Sequence, residues 1–148
     1  MIAIRAATDM SLVRELFREY QVAADAPECF ASFDAELAHL PDPYVAILVA
    51  WLDGQPAACV ALKPLDLAWG EVKRLYVRPA YRGMGLSQQL MAQVMLAARE
   101  RGYLRLRLDT LQTMSGAIAL YPRLGFVPIP RYNDNPDPGA LFFELKLT

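Results

Sequence analysis

A single histidine, two cysteines and no apolar run of membrane-spanning length narrow this 148-residue chain before any motif is considered. His39, Cys29 and Cys59 are too few and too widely spaced for a tetrahedral metal set, so no structural metal is expected. Two cysteines set among apolar residues read as buried free thiols, which fits a reducing, cytoplasmic compartment. A bilayer span needs about 20 consecutive apolar residues, and none occurs; no membrane association is expected. Residues 1–9 lack a basic flank followed by an apolar core, so they do not read as a secretory signal. Basic excess is also missing. A net charge of −1 argues against a dedicated nucleic-acid binder, which needs a net basic surface to meet phosphates. Repeats, linkers and low-complexity segments are absent.

What is present is hydrophobic residue content of 55%, enough for a folded chain rather than a disordered one. The length fits one domain over 1–148. The charge is unevenly spread. Residues 1–70 hold four Lys/Arg against ten Asp/Glu, and residues 71–148 hold eleven against six. Either folding mixes the two halves and cancels the field, or the second half meets a polyanion while the first attracts a cationic amine.

Periodicity suggests an alternating order of elements. A strand over 2–6 precedes a helix capped by Thr8 or Asp9, with Leu12, Val13, Leu16, Phe17 and Tyr20 on one face. Ala26-Pro27-Glu28 breaks it, and a short helix follows over 32–40. A strand over 45–52 turns at Asp53-Gly54 into a strand over 57–62, then a loop through Pro64 and Asp66 leads to a strand over 71–77. A helix over 85–101 presents Leu86, Leu90, Val94 and Ala97 as its buried stripe. A strand at 104–109, a helix over 115–124 capped by Ser115 and disturbed by Pro122, a loop over 128–139 and a strand over 140–147 complete the chain. This is a mixed α/β (α+β) layer domain.

The most informative stretch is 72–90. A strand runs through Arg82-Gly83-Met84-Gly85-Leu86-Ser87 straight into a helix. Glycines let backbone N–H groups turn toward a ligand, and a new helix leaves its first donors free at its positive end. That builds an anion cradle, with Arg78 and Arg82 beside it. No Gly-Lys-Ser/Thr follows, and the third glycine of a dinucleotide fingerprint is missing.

With these residues the chain resembles the GNAT superfamily of acyl-CoA-dependent N-acyltransferases, whose signature is Arg/Gln-x-x-Gly-x-Gly/Ala. Ser87 departs from its last position. The strand at 71–77, the strand at 104–109 and Ala117-Ile118-Ala119-Leu120-Tyr121-Pro122-Arg123-Leu124-Gly125-Phe126 match in order. The resemblance implies a central mixed sheet flanked by helices, with the fourth and fifth strands splayed. It implies acetyl-CoA held by Arg82, Gly83, Met84, Gly85, Leu86 and Ser87, by the strand edge at Leu75, Tyr76 and Val77, and by Ser115. The Leu75 N–H then serves the thioester oxygen. Where relatives often place Asn, this chain has Met114, with Ser115 or Thr113 as replacements.

The implied reaction moves an acetyl group to a primary amine, most simply of a small molecule. Tyr121 is the expected general acid, because a phenol is protonated at neutral pH and can donate to a leaving thiolate. Glu71 is the expected general base, acting through a water, or else it pairs with Lys73. Asp109, Tyr132 and Asp134 are candidates for holding the amine. The alternatives are a non-catalytic acyl-CoA-binding module and an enzyme acting on a protein amine. A homodimer is compatible with the resemblance.

Overall fold

In the computed structural model, which describes residues 1–66 and 68–147, the chain begins with strand β1 (Ile2–Ala6) and helix α1 (Met10–Ala24). Asp9 caps α1: its carboxylate accepts the N–H groups of Ser11 at 2.9 Å and Leu12 at 3.4 Å. A 3-10 turn at Pro27–Phe30 and the short α2 (Phe33–Ala38) follow. His39 closes α2, its ring 2.7 Å from the Ala35 carbonyl. Strands β2 (Ala46–Leu52), β3 (Gln55–Asp66) and β4 (Trp69–Val77) form an antiparallel meander. Its first turn is Asp53-Gly54, both residues at positive φ, which matches the twist of the flanking strands. Then come α3 (Leu86–Glu100), β5 (Arg105–Thr110), α4 (Ser115–Arg123), the two-residue β6 (Val127–Pro128) and β7 (Leu141–Lys146).

The described strands make one sheet in the order β1-β2-β3-β4-β5-β7-β6. Leu86, Leu90, Met91 and Val94 of α3, with Leu120 and Tyr121 of α4, bury one face; Val13, Leu16 and Phe17 of α1, with Phe33 and Leu37 of α2, bury the other. Each such side chain taken fully from water contributes about 1.5–3 kcal/mol.

Several expectations need correction. The loop through Pro64 and Asp66 is strand: Pro64 pairs with Gly70 and Asp66 with Trp69. Ser115 is the first helical residue of α4, not its cap; Met114 holds that position and no side chain caps it. Met91 and Ala98 join the α3 stripe, while Ala97 is only partly buried. Helix α4 ends at Arg123, one residue past Pro122. Of the thiols, Cys59 is buried and Cys29 only half-buried.

The feature that positions a site lies at the middle of the sheet. Strands β4 and β5 run parallel but pair only at Trp69 with Arg105, Gly70 with Leu106 and Glu71 with Arg107. Beyond that point β4 continues to Val77 and β5 to Thr110 without pairing to each other. The fourth and fifth strands therefore splay, and the β4 edge facing β5 is left with unpaired backbone groups.

Candidate active site

The splay opens a cleft of ≈ 630 Å³. One wall is the end of β4 at Leu75, Tyr76 and Val77. The floor is Arg82, Gly83, Gly85, Leu86 and Ser87, and the opposite wall is the start of α4 at Met114, Ser115 and Ala117. Gly83 and Gly85 sit at φ +82° and +78°, where a side chain is strained, and open space lies where their Cβ atoms would be. Gly85 caps α3 without a side-chain bond, so the first N–H groups of this 15-residue helix stay free toward the cleft. Met84 is the exception among the expected cradle residues: it is half exposed and does not line the cleft. The middle residue of the turn points away because its flanking glycines carry the bend. Tyr76 contributes to the wall, but its ring is buried on the α1 side, edge-on to Tyr20, with its hydroxyl donating to Glu19 at 3.3 Å.

The two arginines expected beside the cradle part ways. Arg82 lines it, with Nε donating to the Val77 carbonyl at 3.0 Å. Arg78 instead forks onto Glu19 at 2.9 and 3.0 Å and reaches Glu15 at 3.2 Å. Arg74 pairs with Glu36 at 2.7 Å. These pairs join basic residues of the second half to acidic residues of the first, so folding cancels much of the charge asymmetry read from the sequence. The cleft instead gains a cation that sequence reading missed, Arg123 at the end of α4.

Past Leu75, Met114 and Ala117 the cleft meets a small inner cavity of ≈ 30 Å³, lined further by Tyr20, Lys73, Arg74, Asp109, Thr110 and Tyr121. Tyr121 is 4% exposed, its ring packed on Phe126 and Phe143. Burial, with the nearby Tyr20 and Asp109, pushes its phenol well above the ordinary value, and no hydrogen bond contributes. The hydroxyl therefore keeps its proton across the neutral range.

At the point of the fork the backbone ladder gives way to a side-chain rung. Glu71 and Arg107 form the last pair, and two residues on, Lys73 Nζ meets Asp109 Oδ1 at 3.1 Å. Glu71 is 3% exposed. Its Oε2 accepts the Tyr132 hydroxyl at 2.5 Å and the Asn133 amide at 3.4 Å, and lies 3.7 Å from Lys73 Nζ. Asp109 Oδ2 accepts the amides of Asn133 at 2.9 Å and Asn135 at 3.1 Å. Burial opposes the charge on Asp109, but Lys73, Asn133 and Asn135 outweigh it and hold the carboxyl below its usual value.

The fold gathers Glu71, Asp109 and Tyr132, named separately from sequence as base and amine-holding candidates, into one network. It excludes Asp134, which is exposed in the loop while its two neighbours turn inward. It adds Asn133 and Asn135, and it brings in Lys73, the alternative partner expected for Glu71. Lys73 had a signal in sequence, since it alternates with Glu71 on one strand face. The asparagines had none beyond lying in a turn-rich loop.

Comparison with known proteins bears on this geometry. The family model described as acetyltransferase (GNAT) family matches residues 10–126. An uncharacterized N-acetyltransferase of Schizosaccharomyces pombe is 32% identical over 99% of this chain and 93% of its own length. A crystal structure of a putative acyl-CoA N-acyltransferase from Klebsiella pneumoniae superposes with a TM-score of 0.77 at 30% identity, covering 100% of this chain and 97% of that one. YncA of Salmonella typhimurium, a putative acetyltransferase solved with its cofactor acetyl-CoA, shares the fold with a TM-score of 0.78 at 20% identity, over 99% and 94% of the two chains. With its splayed strands, glycine turn and matched segments, the chain belongs to the acetyltransferase (GNAT) family.

Proposed function

We propose that this protein transfers the acetyl group of acetyl-CoA directly to a primary amine of a small molecule. The observation that carries this reading is the fork between β4 and β5, which joins a wide cleft over an uncapped helix terminus to a narrow cavity holding a phenol. Bound acetyl-CoA supplies a thioester carbonyl as electrophile and a thiolate as leaving group.

The residues present fit that group. Free N–H donors at Leu86 and Ser87, the open glycine turn, Arg82 and Arg123 suit a diphosphate. The β4 edge at Leu75 and Val77, which no longer pairs with β5 and whose Val77 carbonyl accepts Arg82 Nε, suits the amides of the pantetheine arm, with Ser115 on the facing wall. The Leu75 N–H is the donor we assign to the developing oxyanion. Tyr121 holds its proton by burial and gives it to the departing sulfur. Asp109 keeps its negative charge at the cavity wall, where it favours approach of a cationic amine. Tyr132 orders Glu71 from behind rather than lining the cavity. Any proton Glu71 accepts from the acceptor arrives through Lys73, which lies 3.7 Å from its Oε2 and lines the cavity: the ammonium passes one proton to Glu71 and takes one from the acceptor.

Calorimetric titration with acetyl-CoA, followed by a free-thiol assay over small amines and lysine-bearing peptides, tests the reading. Binding with thiol release by small amines is expected. Release with peptides alone moves the acceptor to protein amines. Binding with no release by any acceptor favours a binding module, and no binding at all makes the glycine turn purely structural. In the active enzyme, Glu71→Gln should shift or flatten the acid limb of the pH–rate profile; an unchanged profile removes Glu71 from proton transfer.

A further inference from the structure

Strand β4 carries a bulge just before Leu75. Its pairing with β3 goes from Ala61 opposite Lys73 to Cys59 opposite Tyr76, so β4 holds one residue more than its partner. The bulge holds Arg74 at φ +61°. Among the described residues the other non-glycine positive-φ positions are Asp25 and Asp53, at a helix cap and a hairpin turn, where that residue type is tolerated. An arginine has no such excuse, and an outlier of this kind persists only where its surroundings over-determine it.

Those surroundings reach across the molecule. The Arg74 guanidinium forks onto Glu36, Nη2 to Oε1 at 2.7 Å and Nε to Oε2 at 3.2 Å. The Tyr44 hydroxyl donates to the same carboxylate at 2.8 Å. The guanidinium lies 4.9 Å from the Phe33 ring, 5.5 Å from Phe30 and 5.7 Å from Tyr20. Tyr20 in turn lines the inner cavity, on the side away from the cleft. One side chain therefore links the strand that presents Leu75 to α1, the 27–30 turn and α2. The glycine turn and the start of α4 lie outside this arrangement.

We propose that Arg74 is a positioning residue for the acceptor. Its fork with Glu36, packed among the Phe30 and Phe33 rings, holds Tyr20, the α1 residue that lines the inner cavity, at a fixed place, and so aligns the amine with the acyl group at Leu75. This rests on the acetyl-transfer reading above. Misplacing a reactant by about an ångström costs on the order of 10²-fold, so the effect should be plain in kinetics.

The test compares Arg74→Gly, Arg74→Lys and Glu36→Gln with the unaltered enzyme. Glycine accepts positive φ and keeps the bulge while removing the clamp. Lysine keeps a charge without the fork. KM for the amine, KM for acetyl-CoA and kcat are measured separately, with hydrogen exchange of residues 27–44. For Arg74→Gly we expect kcat/KM for the amine to fall about tenfold or more, acetyl-CoA KM and calorimetric affinity to stay within about twofold, and exchange over 27–44 to accelerate. Arg74→Lys and Glu36→Gln should fall between. Parallel weakening toward both substrates, or an unchanged kcat/KM for the amine with faster exchange, overturns the proposal and leaves Arg74 as a fold residue. If the unaltered enzyme transfers acetyl to no amine, the acetyl-transfer reading itself has failed.

Discussion

Replacing Tyr121 by phenylalanine isolates one oxygen atom. The ring contacts survive, since Phe126 and Phe143 lie with centroids 5.7 Å away and touch the ring rather than the hydroxyl. No hydrogen bond to the hydroxyl contributes to its titration, so the substitution strands no partner. Folding stability should therefore change by no more than about 0.5 kcal/mol, and acetyl-CoA affinity should hold. Turnover should not. A positioned general acid contributes roughly 10²–10⁴-fold, which is about 3–5 kcal/mol of barrier. The assay is single-turnover thiol release at saturating acetyl-CoA and amine, so that slow product release cannot hide the chemical step. Burial holds the Tyr121 phenol above its usual value. Its loss of proton thus leaves no alkaline decline in the unaltered enzyme below the ordinary tyrosine pKa of about 10. A Tyr121→Phe enzyme whose chemical step slows by less than about threefold, under 1 kcal/mol, would refute the acid role.

Other outcomes follow from the same geometry. A Cβ at Gly70 would fall 2.7 Å from the Tyr103 ring and 3.0 Å from Leu62, so Gly70→Ala should destabilise the fold by about 1–3 kcal/mol in urea unfolding; an unchanged midpoint would show that the ring moves aside freely. Asp109 has a lowered carboxyl pKa. Its contribution is complete above the unfolded value and disappears as pH falls through the lower folded value. Asp109→Asn should thus flatten the acid side of the stability–pH curve below about pH 4, as read from unfolding midpoints between neutral and acid pH. An unaltered acid slope would mean the Lys73 pairing stores no folding energy.

Much of the fold was legible because it rests on local rules. The Asp53-Gly54 turn, the Asp9 cap, the α3 stripe and the Arg82–Ser87 strand-to-helix turn are each set by residues within one turn of one another. The matched segments around Tyr121 carried the family and its splayed sheet. Two local readings fail: Pro64 and Asp66 look like loop, yet pairing with β4 makes both strand, and Ser115 looks like a cap, yet the chain enters α4 one residue earlier.

The site divides along the same line. Sequence alone determined which groups are available: a glycine turn at a helix start, a phenol, carboxylates at the ends of apolar strands, and a balance of charge that folding could cancel. Tertiary structure decided which of them meet. It committed Arg78 to Glu19 and Glu15 and left Arg82 and Arg123 at the cleft. It turned Met84 and Asp134 outward, brought Lys73 against Asp109 where the β4–β5 ladder ends, and tied Glu71 to Tyr132, 61 residues away. The physical reason is that ion pairs and buried hydrogen bonds act over a few ångströms between side chains of any separation in sequence. Periodicity and capping, by contrast, report only on neighbours along the chain.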